Sequence, residues 1–344
     1  MSENHRRVLV TGGAGYLGSV LVPKLLDSGA SVTVFDCLLF GEAPLAPVAN
    51  HPRLSVVRGD IRDTDRVDAL LAEGRFDAVI HLAAISNDPS SELDADLTTS
   101  VNRDALAHLM PAAKATGVKR FLYASSASVY GIKDVEDVTE ALSLEPITLY
   151  AKYKAEGEAI LNALVDDDFC GVSVRAATVC GWSPRLRLDL TINILTSHAI
   201  TNGRIRVFGG AQMRPNIHIE DLTDFYVFLL DAPADVVSGR AYNISRENAT
   251  VMALAEMIRD EVAPAIPIDV VPTDDLRSYH LSARRVAEEL GWHPTHTLQQ
   301  AVADLKAAFS DGRIPDVGDP SYRNVVLMKA DPDFWVRSLA GGPA

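Results

Sequence analysis

The sequence predicts an α/β fold, with an open, doubly wound parallel sheet and a smaller, discontinuous mixed α/β unit. Three observations carry this. Up to about residue 178, short apolar runs alternate with stretches at helical spacing, the pattern of parallel βαβ units. The first strand runs straight into a glycine-rich turn that opens a helix. After Cys180 the alternation gives way to short, mixed segments.

Arg6–Thr11 is the first strand, followed by Gly12-Gly13-Ala14-Gly15-Tyr16-Leu17-Gly18. Leu17, Leu21 and Leu25 mark a helix that Gly29 stops, and Pro23 inside it predicts a kink. The next strand, SVTVFD, ends at Asp36, and the proline-bearing stretch 37–53 reads as loop. LSVVRGD is a strand ending near Asp60, DRVDALLAEG a helix, and FDAVIHLAA a strand apolar enough to be covered on both faces. Leu97–Thr116 reads as one helix despite Pro111, VKRFLYASS as strand, 147–165 as helix and CGVSVRAAT as strand. Beyond Cys180 the pattern predicts helices at 189–202, 251–262, 284–291 and 297–309, with strands at Ile205–Phe208 and in AIPIDVVP, and an extended RPNIHIED. DLTDFYVFLLD and RAYNIS read as a helix and a strand rejoining the first sheet. The expected division is residues 1–178 plus about 216–244 in the larger unit, and 179–215 with 245–320 in the smaller one. The tail, 321–344, is weakly patterned and would be ordered by packing against the body.

Hydrophobic residues at 47% and charged residues at 23% are ordinary globular values. Lys+Arg 32 against Asp+Glu 46 gives a net charge of −14, which disfavours nonspecific binding to nucleic acid or anionic membrane. A small anionic ligand would need a local cluster of arginines. Cys37, Cys170 and Cys180 are scattered and odd in number, as expected in a reducing compartment rather than in a disulfide framework. No apolar run approaches the ~18 residues of a membrane span. The chain enters a strand almost at once, so no signal peptide and a cytoplasmic location are expected.

Gly12-x-x-Gly15-x-x-Gly18 between strand and helix, with an acid ending the next strand at Asp36, points to a dinucleotide. The glycines allow a tight turn and close approach of the Tyr16-Leu17 backbone to a pyrophosphate, and the helix N-terminus offers N–H groups and positive dipole. Asp36 can accept ribose hydroxyls and repels a 2′-phosphate, so NAD is expected over NADP. Asp60 and Ile61, after a later strand, would clamp the adenine. In LYAKYK, Tyr150 and Lys154 share one helix face at i, i+4, presenting a phenol and an ammonium together. A cation within ~4–6 Å favours a phenolate, which makes a tyrosine usable as a proton carrier. His293-x-x-His296 has no Cys or Asp near it in sequence, so no metal is expected. His81 and His218 read as satisfied structural histidines, and Cys180 as a small buried residue.

TGGAGYLG, HLAAIS, SSASVYG and YAKYK, in this order and at these intervals, resemble the extended short-chain dehydrogenase/reductase family, and within it the nucleotide-sugar epimerases and dehydratases. The resemblance covers about residues 6–310. It implies a Rossmann-type sheet holding NAD, a nucleotide-diphosphate sugar in the smaller unit, and a homodimer packed through the helices at about 97–116 and 147–165. By the same resemblance Ser126 hydrogen-bonds the reacting sugar oxygen, Tyr150 is the acid/base, and Lys154 is its partner and contacts the nicotinamide ribose. Leu82, Ala83, Ala84 and Ser86 match the loop beside the cofactor phosphates and ribose, and Asn102 the polar position on the following helix. Arg214 and Arg277 match arginines that clamp the nucleotide diphosphate, with Arg185 and Arg187 as further candidates and Asn193 on the helix facing the nucleotide. Thr178 stands where many relatives carry an Asn that touches the diphosphate.

Sugar 4,6-dehydratases of this family carry Asp-Glu where this chain has Ala127-Ser128. The decarboxylases carry Glu, and the 3,5-epimerases Cys, at the position of Ser128. The apparatus that remains oxidises one hydroxyl and returns the hydride, so epimerisation at C4 is expected. A net 4-ketosugar reductase is the alternative, and an inactive dinucleotide-binding module a third reading.

Overall fold

The computed structural model describes residues 5–133, 135, 137–273 and 280–330. Twelve strands are found there: β1 (Arg7–Thr11), β2 (Ser31–Asp36), β3 (Leu54–Arg58), β4 (Ala78–His81), β5 (Arg120–Ser126), β6 (Cys170–Ala176), β7 (Thr178–Cys180), β8 (Ile205–Phe208), β9 (Met213–His218), β10 (Arg240–Ile244), β11 (Glu247–Thr250) and β12 (Ile268–Val271). Seven of them form one all-parallel sheet in the order β10-β6-β5-β4-β1-β2-β3. Strand order reverses at β1, whose Val10 pairs with Val34 of β2 on one side and Ile80 of β4 on the other. In such sheets the crevice at that switch point, outside the carboxyl ends, is where ligands bind.

Successive side chains of a strand point to opposite faces, and both faces here are covered. Val8, Val10, Val32, Ile80 and Leu122 pack with Leu21 and Leu25 of the helix Gly18–Asp27 and with Phe225 and Leu229 of the helix Ile219–Asp231. On the other face Leu9, Phe35, Val79 and Phe121 meet Leu71, Leu109 and Leu161 from the helices Thr64–Gly74, Ala105–Ala115 and Leu149–Leu164.

The smaller unit grows from the carboxyl end of the large sheet, since β6 ends at Ala176 and β7 begins at Thr178. It holds a three-stranded sheet, β11-β9-β7, and a two-stranded parallel pair, β12 with β8. Its core is Ile192, Leu195, Ile205, Val207, Leu254, Ile258, Leu298 and Val302.

One sequence expectation is corrected, and two short strands are added. The helix expected over Leu97–Thr116 is in three parts: Ala95–Thr99, a π turn at Ser100–Asp104, and Ala105–Ala115. The helix Gly18–Asp27 has Pro23 inside it, as the sequence reading places it. Strands β7 and β11 were not predicted, because at 3 and 4 residues neither is long enough to show an alternation. The tail adds a short turn at Pro320–Tyr322 and a helix at Asn324–Ala330. Among the described residues no helix is long and apolar enough to cross a membrane.

Candidate active site

A cavity of about 560 Å³ opens at the carboxyl ends of β1, β2, β4, β5 and β6. Its floor is the glycine-rich turn. Gly12 sits at φ +75°, and a Cβ there would lie 2.6 Å from the Ala83 backbone nitrogen; a Cβ on Gly18 would lie 2.5 Å from the Gly12 carbonyl oxygen. Both positions therefore hold the β1 turn, the helix N-terminus and the loop after β4 closer together than any side chain permits. Thr11 and His81, at the ends of β1 and β4, are joined by a buried Oγ1···Nδ1 hydrogen bond of 2.8 Å. Burial, and then the Lys154 charge, push the His81 imidazole down to about 3, so it is a neutral strut between strands.

Gly12, Gly15, Tyr16, Leu17 and Gly18 line the cavity together with Asp36, Asp60, Ile61, Leu82, Ala83, Ala84 and Ser86. Asp36 accepts the backbone N–H of Ala14 at 2.9 Å and of Leu38 at 2.8 Å, which fixes the carboxylate. Burial nonetheless raises its pKa. Asp60 is held by Arg62.

The far wall carries the proton-handling groups. Ser126 ends β5, Tyr150 is the second residue of the helix Leu149–Leu164, and Lys154 lies one turn further on the same face. Thr148 caps that helix by accepting the Ala151 N–H, and its hydroxyl donates to Asp88 at 2.7 Å. The Lys154 ammonium donates to the Ala124 carbonyl at 2.6 Å and lies 5.6 Å from the centre of the Tyr150 ring. Burial brings its pKa down to about 8, against an opposing pull from Glu158. Ser126 Oγ accepts from the Ser128 N–H at 3.2 Å and the Ser128 hydroxyl at 3.0 Å. With its acceptor capacity so engaged, the proton of Ser126 is left to donate into the cavity. Ser125 points elsewhere, donating to Glu158 at 2.5 Å.

Two expected contacts come out differently. Asn102 is buried off the cavity wall in the π turn, where its side chain accepts from the Ile85 N–H at 2.8 Å and donates to the Ile85 carbonyl at 2.9 Å. It shapes the loop after β4 from behind. Asn193, 0% exposed, also lies behind the wall: it accepts the Gly181 N–H at 3.0 Å and donates to the Arg187 carbonyl at 2.8 Å and the Tyr16 hydroxyl at 3.2 Å. Arg185 and Arg187, which would be solvated if isolated, are 5% and 7% exposed and line the cavity with Thr178 and Arg214. Arg277 lies outside the described residues.

Asp189 and Asn324 are two further lining groups that sequence reading missed. Arg187 pairs with Asp189 and reaches Ser86, while Asn324 from the tail donates its N–H to Asp189 and its Nδ2–H to Ser86. The Asn324 contact to Ser86 spans 238 residues of chain, so no local pattern could reveal it. His296, which has no acid near it in sequence, meets Asp221 at 2.8 Å with Asp224 close by. Asp221 is occupied in accepting the backbone N–H groups of Thr295 and His296, which ties the start of the helix Leu298–Ser310 to the body.

Residues 8–245 match the family described as NAD dependent epimerase/dehydratase. A UDP-glucose 4-epimerase of Mycolicibacterium smegmatis is 32% identical over 311 residues, covering 86% of this chain and 96% of the relative. A dTDP-glucose 4,6-dehydratase of an Actinoplanes species is 31% identical over 324 residues, covering 89% of this chain and 98% of the relative. The crystal structure of DesIV, a dTDP-glucose 4,6-dehydratase from Streptomyces venezuelae with NAD and TYD bound, superposes with a TM-score of 0.78 at 28% identity, covering 89% of this chain and 98% of that one. With the glycine turn, the acid ending β2 and the tyrosine and lysine at one cavity wall, this chain belongs to the NAD-dependent epimerase/dehydratase family.

Proposed function

We propose that the protein is an NAD-dependent nucleotide-diphosphate-sugar epimerase acting at C4 of the sugar. One observation carries the choice among the family's chemistries. Ser126, Tyr150 and Lys154 line one cavity, and among the described residues every carboxylate lining it already has a partner away from the tyrosine: Asp36 in Ala14 and Leu38, Asp60 in Arg62, Asp88 in Thr148 and Asp189 in Arg187. Ala127 is buried, and the Ser128 hydroxyl is spent on Ser126. Eliminating water across two carbons needs an acid and a base beside the tyrosine, and the wall offers neither.

The residues present fit the cofactor. The floor leaves room only for backbone, Asp36 is fixed to accept ribose hydroxyls, and the helix N-terminus at Gly18 suits a pyrophosphate. When bound, NAD supplies the hydride acceptor for the first half of the reaction and the donor for the second. Tyr150 takes the proton of the C4 hydroxyl, and returns it to the same oxygen once the 4-keto sugar has turned and been reduced from its other face. Ser126 donates to that oxygen throughout, stabilising the charge that grows on it. Lys154 favours the phenolate by its positive charge. Thr178 and Arg214 line the cavity where the resemblance places the nucleotide diphosphate, and the substrate in this reading is a nucleotide-diphosphate sugar.

The test is to incubate purified protein with a panel of nucleotide sugars and no added cofactor. Formation of the C4 epimer without net NADH is the expected result; turnover only with stoichiometric NADH or NADPH would overturn the reading. Tyr150→Phe should lower kcat by about 10²–10⁴-fold while NAD stays bound.

A further inference from the structure

We propose that Arg185 binds the pyrophosphate of the dinucleotide from the side opposite the glycine-rich turn, making a smaller-unit residue part of the cofactor site. The inference rests on the dinucleotide occupying this cavity. It does not rest on the C4 chemistry, and holds for an epimerase or a reductase alike.

Arg185 is 5% exposed and lines the cavity, yet its Nε and Nη1 are buried without any hydrogen-bond partner among the described residues. Its one side-chain hydrogen bond is from Nη2 to the Asn324 side-chain oxygen at 2.5 Å. A buried guanidinium with orphaned donors is costly, and its natural complement is a group with paired anionic oxygens. Neither Asp36, which accepts the Ala14 and Leu38 N–H groups, nor Asp189, which is taken by Arg187, hydrogen-bonds the Arg185 guanidinium.

Position decides which anion. The Arg185 backbone N–H donates to Ser183 Oγ, which in turn donates to the Tyr16 carbonyl and meets Ser19 Oγ at 2.8 Å, so the loop is pinned to the glycine turn and the first turn of its helix. The guanidinium is stacked 3.6 Å from the centre of the Phe40 ring, a cavity-lining residue just after β2. Asp36 and Tyr16 are among its electrostatic neighbours. All of these belong to the cofactor side, so Arg185 faces the helix N-terminus where a pyrophosphate sits. Its role differs from the nucleotide-sugar contact that the sequence suggests.

The experiment measures ligand affinity of nucleotide-stripped protein by calorimetry. Arg185→Met should weaken NAD and ADP-ribose by about 10- to 100-fold, the scale of a lost charged hydrogen bond, and leave adenosine and UDP unchanged. Arg185→Lys should recover part of the loss, since a point charge lacks the planar fork. Unchanged NAD affinity would overturn the proposal. So would a parallel loss for adenosine, which marks a structural role, or a larger loss for NADP than for NAD, which marks a 2′-phosphate contact. Should Arg185→Met fail to fold, Asn324→Asp gives the decision: a carboxylate against Nη2 competes with the pyrophosphate and should weaken NAD several-fold at unchanged Tm, and unchanged affinity would overturn the proposal.

Discussion

Arg175 and Arg185 stand ten residues apart, equally buried, and are treated in opposite ways. Arg175, on β6, makes a forked pair with Glu158 at 2.6–3.2 Å and donates to the Tyr130 hydroxyl at 2.7 Å; that hydroxyl donates onward to Asn243. Its neighbours hold its pKa above the ordinary arginine value despite burial. Arg185 has two orphaned donors, and burial followed by the Arg187 charge brings its pKa down to about 9. The first guanidinium is finished by the fold, and the second is completed only by something the cavity admits. The large sheet supplies a closed polar scaffold beneath Lys154, whereas Arg185 brings unpartnered donors to the cavity wall.

The largest expected effect breaks the closed side. Glu158→Gln leaves Arg175 without its carboxylate and should lower the unfolding free energy by about 3–5 kcal/mol, with or without NAD, in chemical denaturation. A loss below about 1 kcal/mol would erase the contrast between the two arginines. Next, Asn193→Ala removes the partners of Gly181 and Tyr16 and should cost about 1–3 kcal/mol. Unlike Glu158→Gln it should also weaken NAD, because Tyr16 belongs to the glycine turn; equal Tm shifts with and without NAD would argue against that link.

The Lys154 pKa gives a pH test with two opposite signs. Its value falls from 10.5 to about 8 on folding, so the unfolded chain holds the extra proton between those pH values. The stability penalty of burying this charge is fully present below about pH 8 and is relieved as pH rises toward 10.5. Catalysis runs the other way: kcat/KM should fall above about pH 8 as the ammonium supporting Tyr150 is lost. Glu158→Gln should move that limb to lower pH, and a pH–rate profile indifferent to Glu158 would detach the network from Lys154. The smallest effect is expected for Ser128→Ala, where one hydrogen bond to Ser126 is lost. The kcat should fall about fivefold with KM little changed.

The glycine turn, Asp36, Tyr150 and Lys154 are legible in the sequence because each follows from local geometry: a turn, a strand end, or one face of one helix; Ser126 is legible only through the family resemblance of SSASVYG. Asn102 and Asn193 were read as contacts, yet they stand one layer back. The type and order of residues cannot tell a side chain that faces a cavity from one that braces its wall. Arg185 and Arg187 illustrate the converse, since the wall that buries them includes Phe40 and Asn324, which arrive from two distant stretches of chain.

The Asn243 side chain sets a timetable. Besides accepting from Tyr130, it donates to the carbonyls of Val138 and Ser282, and its backbone N–H donates to Glu140. The strand that carries it, β10, is the edge of the parallel sheet, paired with β6 about seventy residues earlier. During synthesis the scaffold beneath Lys154 therefore stays incomplete until residue 282 has left the ribosome. Until β10 has emerged the outer edge of β6 is bare, the interval in which a slow-pairing parallel sheet is most exposed to wrong partners. The first half of this chain bears the site's proton-handling residues, but it cannot finish that site alone.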